Sequence, residues 1–170
     1  VSVARTPLVF RPSESSIWKF KPMKINPENG SIILPDGNII SARNTLDDWM
    51  ARFPKSCPNH PQEGITFFGL SFTEQSEQYT LTAQFEQQRL VSLSIFFCPI
   101  GEDNSWAAWS EERELQRRKQ FDRWLDKQLG DAPCSIETST PGKCRRFAWG
   151  DAGAYYHNKD GSTGIVISYR

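Results

Sequence analysis

A chain of 170 residues, 24% charged and 12% aromatic, is long enough to bury a sizeable core without help from disulfides or metals. The formal net charge is zero, which argues against a general nucleic-acid binder, and no apolar run approaches the ~20 residues of a membrane-spanning helix. Charge is nonetheless segregated. Residues 1–55 carry eight Lys/Arg against five Asp/Glu, residues 56–114 carry two against nine, and residues 115–170 carry ten against six. An acidic middle third between basic ends bears on partners and association rates rather than on fold.

Taken in order, residues 1–16 are polar, contain Pro7 and Pro12, and read as a loosely attached arm on a single domain spanning 1–170. The sequence does not open on a basic-then-apolar leader, so the expected location is cytoplasmic, or periplasmic if Val1 is a processed start. Ile17–Ile25 reads as a strand interrupted by Pro22, and Asn26–Gly30 as a turn. Ile32–Leu34 and Ile39–Ile40 then form a hairpin about Pro35-Asp36-Gly37-Asn38. Thr45 is placed to cap a short helix, with Asp48 reaching back to it and Leu46, Trp49, Met50 and Phe53 at helical spacing before Pro54. Lys55–Glu63 holds two prolines, Pro58 and Pro61, directly after Pro54, and is expected to be loop.

A meander of three strands follows: Ile65–Phe72, Gln78–Glu86 and Leu90–Cys98. The middle one alternates Tyr79, Leu81, Ala83 and Phe85 with polar residues, the signature of an antiparallel sheet with one wetted face. After the acidic loop Gly101–Ser105, a long helix starts near Trp106 or Ser110 and ends at Leu129, with Gly130 as its stop. Leu115, Phe121, Trp124, Leu125 and Leu129 fall on one half of its wheel. Strands return at Cys144–Trp149, Ala152–Tyr156 and Ile165–Tyr169. The expected fold is α+β, an antiparallel sheet in the order ββ-α-βββ-α-βββ with one long amphipathic helix on it. Leu46-Asp47-Asp48-Trp49-Met50 echoes Phe121-Asp122-Arg123-Trp124-Leu125, which suggests two helix-plus-meander halves.

Catalytic and metal chemistry finds little purchase. Cys57-Pro58-Asn59-His60 is a lone CxxH without a second pair at zinc spacing, so neither a metal nor a cofactor is expected. Cys134 and Cys144 are left open as a bridge across a loop, which only an oxidising compartment would support. The two histidines, His60 and His157, sit in turns with no nucleophile placed beside them. Lys119, Arg123 and Lys127 form a stripe on the long helix, with Lys143, Arg145 and Arg146 beyond. That stripe reads as a solvated face partnered by Glu114, Asp122 and Asp126 more readily than as a nucleic-acid contact.

One combination stands out. The acids Glu74, Glu77, Glu86, Glu102, Asp103, Glu111 and Glu112 accompany Trp106 and Trp109, and acids beside exposed tryptophan suit a surface that binds a basic protein. The competing reading has both tryptophans stapling the helix start to the sheet. Leu129-Gly130-Asp131-Ala132-Pro133, Phe147-Ala148-Trp149-Gly150 and Ile165–Tyr169 resemble the helix-plus-meander units of β-lactamase inhibitor proteins and outer-membrane assembly lipoproteins. Gly30–Gly37 with Thr45-Leu46 resembles bacterial proteins of toxin-immunity loci. The lipid-anchoring cysteine of the lipoproteins has no counterpart near Val1. The resemblance implies a non-enzymatic immunity or inhibitor protein that neutralises a basic toxin or enzyme. A small carboxylate or cysteine enzyme is the alternative, and a nucleic-acid module using the basic stripe the third reading.

Overall fold

The computed structural model describes residues 22–62, 64–139 and 142–170. The arm 1–16, Trp18 and most of the expected strand Ile17–Ile25 lie outside them. Three two-residue strands, β1 (Lys24–Ile25), β2 (Ile32–Ile33) and β3 (Ile39–Ile40), make a small antiparallel sheet. Its first turn needs glycine. Gly30 has φ 68°, and a Cβ there would lie 2.4 Å from the Trp149 ring. Helix α1 (Leu46–Arg52) carries the anticipated capping box: the Thr45 hydroxyl accepts the Asp48 N–H at 3.1 Å, and the Asp48 carboxylate accepts the Thr45 N–H at 3.0 Å.

Eight further strands, β4 (Cys57–Gln62), β5 (Ile65–Glu74), β6 (Glu77–Glu86), β7 (Arg89–Pro99), β8 (Ser135–Ser139), β9 (Gly142–Phe147), β10 (Gly150–His157) and β11 (Ser162–Tyr169), form one antiparallel sheet. Helix α2 (Glu111–Leu129) separates the first four from the last four. The spatial order is β4-β5-β6-β7-β11-β10-β9-β8, so two four-stranded meanders meet edge to edge at their last strands. The α+β class stands, but each meander has one more strand than the pattern suggested. Lys55–Glu63 is not loop: β4 occupies Cys57–Gln62 and pairs with β5. Its prolines are tolerated because β4 is an edge strand, where alternate N–H groups have no ladder to join, and its register shifts between Asn59 and Gln62.

Period-two alternation decides which face of the sheet is core. Tyr79, Leu81, Ala83 and Phe85 are buried on β6, and the register continues them across the sheet. Leu81 lies opposite Ile95 and Ile95 opposite Ile165, while Ala83 leads through Leu93 and Ile167 to Ala152. Thr80, Thr82, Gln84, Ser92, Ser94 and Ser168 occupy the other face, half-exposed. Both helices cover the apolar face. From α1, Trp49 meets the Phe85 ring at 5.7 Å and its indole N–H donates to Ser56 Oγ at 3.1 Å. From α2, Phe121, Leu125 and Leu129 are buried at i, i+4 and i+8, with Phe121 against Phe96 and Phe97.

The wheel reading of α2 needs two corrections. Trp124 is half-buried, not enclosed, packed at 5.6 Å from the Phe97 ring. Glu114 and Arg117, by contrast, are buried. Arg145 is buried as well and spans Asp122 and Asp126 with its guanidinium, tying β9 to α2. It is therefore withdrawn from any phosphate-binding stripe. The small sheet is fastened to this frame by long-range bonds: the Trp149 indole N–H donates to Pro27 O at 2.9 Å, and the Tyr169 hydroxyl to Gly30 O at 3.1 Å. The thiols of Cys98, Cys134 and Cys144 are free, and the register sets Glu137 opposite Cys144. The side chains of Cys57 and His60 lie outside the described residues. Among the described residues no helix is long and apolar enough to cross a membrane, and no three acids, histidines or cysteines cluster in a metal-holding group.

Candidate partner-binding surface

Beyond β7 the chain turns at Gly101, whose φ of 82° is the left-handed conformation glycine adopts freely. Asp103 then closes an Asx turn by accepting the Ser105 N–H at 2.8 Å, and Trp106–Ala108 forms a single 3-10 turn. Ser110 caps α2 through its hydroxyl, which accepts the Arg113 N–H at 3.3 Å. Local sequence chemistry thus makes two turns and a cap in ten residues. Long-range bonds then fix their mutual geometry.

Arg113 and Arg117, one helical turn apart, hold that geometry. Arg113 donates to Glu102 Oε1 through Nε at 3.1 Å and also through Nη2. The same side chain reaches Ala108 O at 2.8 Å, Asp103 O at 2.6 Å and Asn104 Oδ1 at 3.1 Å, clasping both ends of the loop. Arg117 donates to Glu102 Oε1 at 2.8 Å, to Asn104 Oδ1 at 2.9 Å and to Glu114 Oε1, and its guanidinium lies 5.0 Å over the Phe96 ring. Burial opposes ionisation of Glu102, but the hydrogen bonds and charges of the two arginines outweigh it and hold its carboxyl below the ordinary value. The sequence reading missed these arginines as loop holders. Their i, i+4 spacing was visible, but the acid they meet lies 11 and 15 residues back.

The two tryptophans separate into different roles. Trp109 is a staple, its indole N–H donating to Gly161 O at 3.1 Å, and it remains 39% exposed. Trp106 is 76% exposed, with its ring 6.0 Å from that of Trp109. Between them and the β10–β11 turn lies a cleft of about 280 Å³, with Phe96, Glu114 and Thr163 also in its walls. A wider groove of about 620 Å³ runs along the adjoining side of α2 past Glu77, Trp124, Arg123 and Lys127.

The proposed acids do not all gather here. Asp103, Glu111 and Glu112 are exposed around the tryptophans, with Glu111 accepting the Tyr156 hydroxyl at 3.5 Å and Glu112 accepting from Gln116 at 3.4 Å. Glu102 is turned inward to its arginines. Glu77 lies opposite Pro99 in the register, at the same end, and accepts the Tyr79 hydroxyl at 2.8 Å. Glu74 is near it but buried, accepting the Met23 N–H at 3.2 Å. Glu86 sits at the far end of β6, facing Ile65 and Arg89, about 30 Å away at the rise of a strand. Asp160, which the sequence reading did not single out, joins the cleft instead. Hydrogen bonds from the Ser162 hydroxyl and N–H hold its carboxyl at about 2.

No family model matches the chain, and no curated protein is similar to it. A chain in the solved structure of Rhs1-CT in complex with cognate immunity protein RhsI1 shares its fold, with a TM-score of 0.52 and 15% identity over 87% of each chain. At that identity the likeness concerns fold alone.

Proposed function

We propose that this chain is a non-enzymatic protein-binding domain, a bacterial immunity or inhibitor protein that neutralises a basic toxin or enzyme through the end of the sheet carrying Trp106. The observation that carries the reading is the division of labour in the 101–112 segment. Two arginines are drawn inward to fix the loop, while an exposed tryptophan and the acids Asp103, Glu111 and Glu112 remain outside. A rigid aromatic anchor amid one sign of charge is how interfaces combine affinity with steering. The carboxyls with a displaced titration, at Asp48, Glu102, Asp103, Asp126 and Asp160, are all moved downward, so each stays ionised rather than serving as a proton donor near neutrality. Of these, Asp103 and Asp160 stand exposed at this end of the sheet, where they attract a cationic surface.

The fold likeness supports a protein partner, and the cytoplasm remains the proposed compartment. The test is association kinetics with the protein that co-purifies, at two salt concentrations. Neutralising Asp103, Glu111 and Glu112 together should slow association and flatten its salt dependence, since screening acts over ~8 Å at physiological ionic strength. Trp106→Ala should instead speed dissociation. Turnover of a substrate by the isolated chain would overturn the non-enzymatic reading.

A further inference from the structure

We propose that the cleft between Trp106 and the β10–β11 turn is a socket for one arginine side chain of the protein partner. This rests on the protein-binding reading and names its anchor. At about 280 Å³ the cleft lies at the small end of binding sites and has room for a single long side chain. Its walls are aromatic: Trp106, Trp109 held by Gly161 O, and Phe96.

Its lining includes a buried carboxylate. Glu114 is buried, and its Oε1 is taken by Arg117, while its second oxygen has no protein partner among the described residues. Asp160 stands at the rim. Arg113 and Arg117 also border the cleft, but their donors are committed to Glu102, Glu114, Asn104 and the loop carbonyls, and those two acids offset their charge. The remaining acids Asp103, Glu111 and Asp160 outnumber the one further cation of the turn, Lys159. A cation entering the cleft meets ring faces and carboxylate oxygens. Arginine fits better than lysine, because a planar guanidinium stacks on an indole while donating to a carboxylate in its own plane.

The probe is N-acetyl-arginine methylamide, titrated into labelled full-length protein while the indole N–H signals of Trp106 and Trp109 are followed. Expected are saturable shifts confined to those indoles and to the Gly161–Thr163 amides. Binding should be at least about fivefold tighter than that of the uncharged norleucine analogue, the ratio that ~1 kcal/mol of cation–π attraction produces. Trp106→Ala should abolish the preference, and Asp160→Asn, which removes the charge but keeps an oxygen to accept from Ser162, should reduce it. An equal response to the norleucine analogue, or an arginine response that survives in Trp106→Ala, overturns the socket. No saturable response, in a chain whose charge variant still slows partner association, also overturns it and leaves the protein-binding reading in place. A saturable response in a chain that captures no protein supports the socket and removes the reading on which it was built.

Discussion

Arg113 offers the sharpest test of how the loop is held, because its removal should leave association no slower while accelerating dissociation. Arg113→Met keeps the aliphatic stem but deletes every bond from the guanidinium to Glu102, Ala108 O, Asp103 O and Asn104. Hydrogen bonds to charged groups contribute a net ~1.5–3 kcal/mol. The low end applies, since the Arg113 and Glu102 side chains are each 26% exposed and Glu102 retains Arg117. A loss of about 2 kcal/mol confined to the loop lowers its ordered population roughly 30-fold. Hydrogen exchange should report this directly. The Ala108 and Trp109 amides, bonded to Ser105 O and Trp106 O, should exchange about 10- to 30-fold faster. Amides in the middle of α2 should be unchanged. Toward a basic partner, deleting a cation makes this end more acidic, so association should be no slower, whereas dissociation should accelerate as the anchor loses its preset position. Unchanged exchange at 103–109, or slower association with unaltered dissociation, would refute the clasp.

The remaining predictions concern the frame and are read by denaturant melts. Phe121→Ala should cost about 3–5 kcal/mol, as large-to-small changes at fully enclosed sites do, and half-buried Trp124→Ala less than half of that; equal costs would mean the buried face of α2 is misassigned. Arg145→Ala should cost about 3–5 kcal/mol, because it strips a buried cation from Asp122 and Asp126; a loss under about 1 kcal/mol would show both acids reaching water unaided. Glu102 has a folded pKa below its ordinary 4.5, so its contribution is complete above that value and is lost as pH falls through the folded one. Arg113→Met should therefore flatten the acid limb of stability below about pH 4.5, and an identical limb in both proteins would contradict the assignment.

Elements whose signals are local were readable before the structure. The Thr45 capping box, the Ser110 cap and the Gly130 stop rest on side chains within three residues of the helix end. The alternation of Gln78–Glu86 named the buried face of β6 residue by residue. Strands β4 and β8 escaped for opposite reasons. Cys57–Gln62 carries prolines that normally punctuate loops, and only its edge position reconciles them with pairing. Ser135–Ser139 is short and mainly polar, with no apolar alternation to announce it, and it is defined by its register with β9.

At the candidate site, Trp106 and Trp109 are conspicuous in the sequence because tryptophans in an acidic loop are unusual. Their division into free anchor and staple depends on Gly161, 52 residues from Trp109. Burial of Glu74 is likewise set by a backbone N–H 51 residues away. A helix wheel that sorts residues only as apolar or polar could not place Glu114 and Arg117 inside.

The sequence echo between the two helices bears on why the proposed binding end lies where it does. The palindromic order of the sheet supports two comparable halves, each a helix followed by four strands. Residue by residue, however, the echo is inexact: Trp49 is enclosed while Trp124 is half-buried, and α2 buries Phe121 and Leu125 instead. Aligned on Leu46 and Phe121, α1 begins at the echo, whereas α2 begins ten residues earlier, at Glu111. That N-terminal extension carries Arg113, Glu114 and Arg117. Just before it, the segment linking β7 to α2 supplies Glu102, Trp106 and Trp109, where the first half has only the short stretch 41–45 between β3 and α1. The fully buried apolar residues of α2 begin at Phe121, whereas the extension meets the sheet through Glu114 and Arg117. Its side chains also hold a loop that the first half lacks. The proposed binding surface is thus the part of the second half without a counterpart in the first. Shortening α2 and its loop to the length of α1 should leave the sheet folded and remove partner binding. A circular dichroism melt and a binding measurement on that variant would separate the two, and loss of the folded sheet would show that the extension is needed for stability after all.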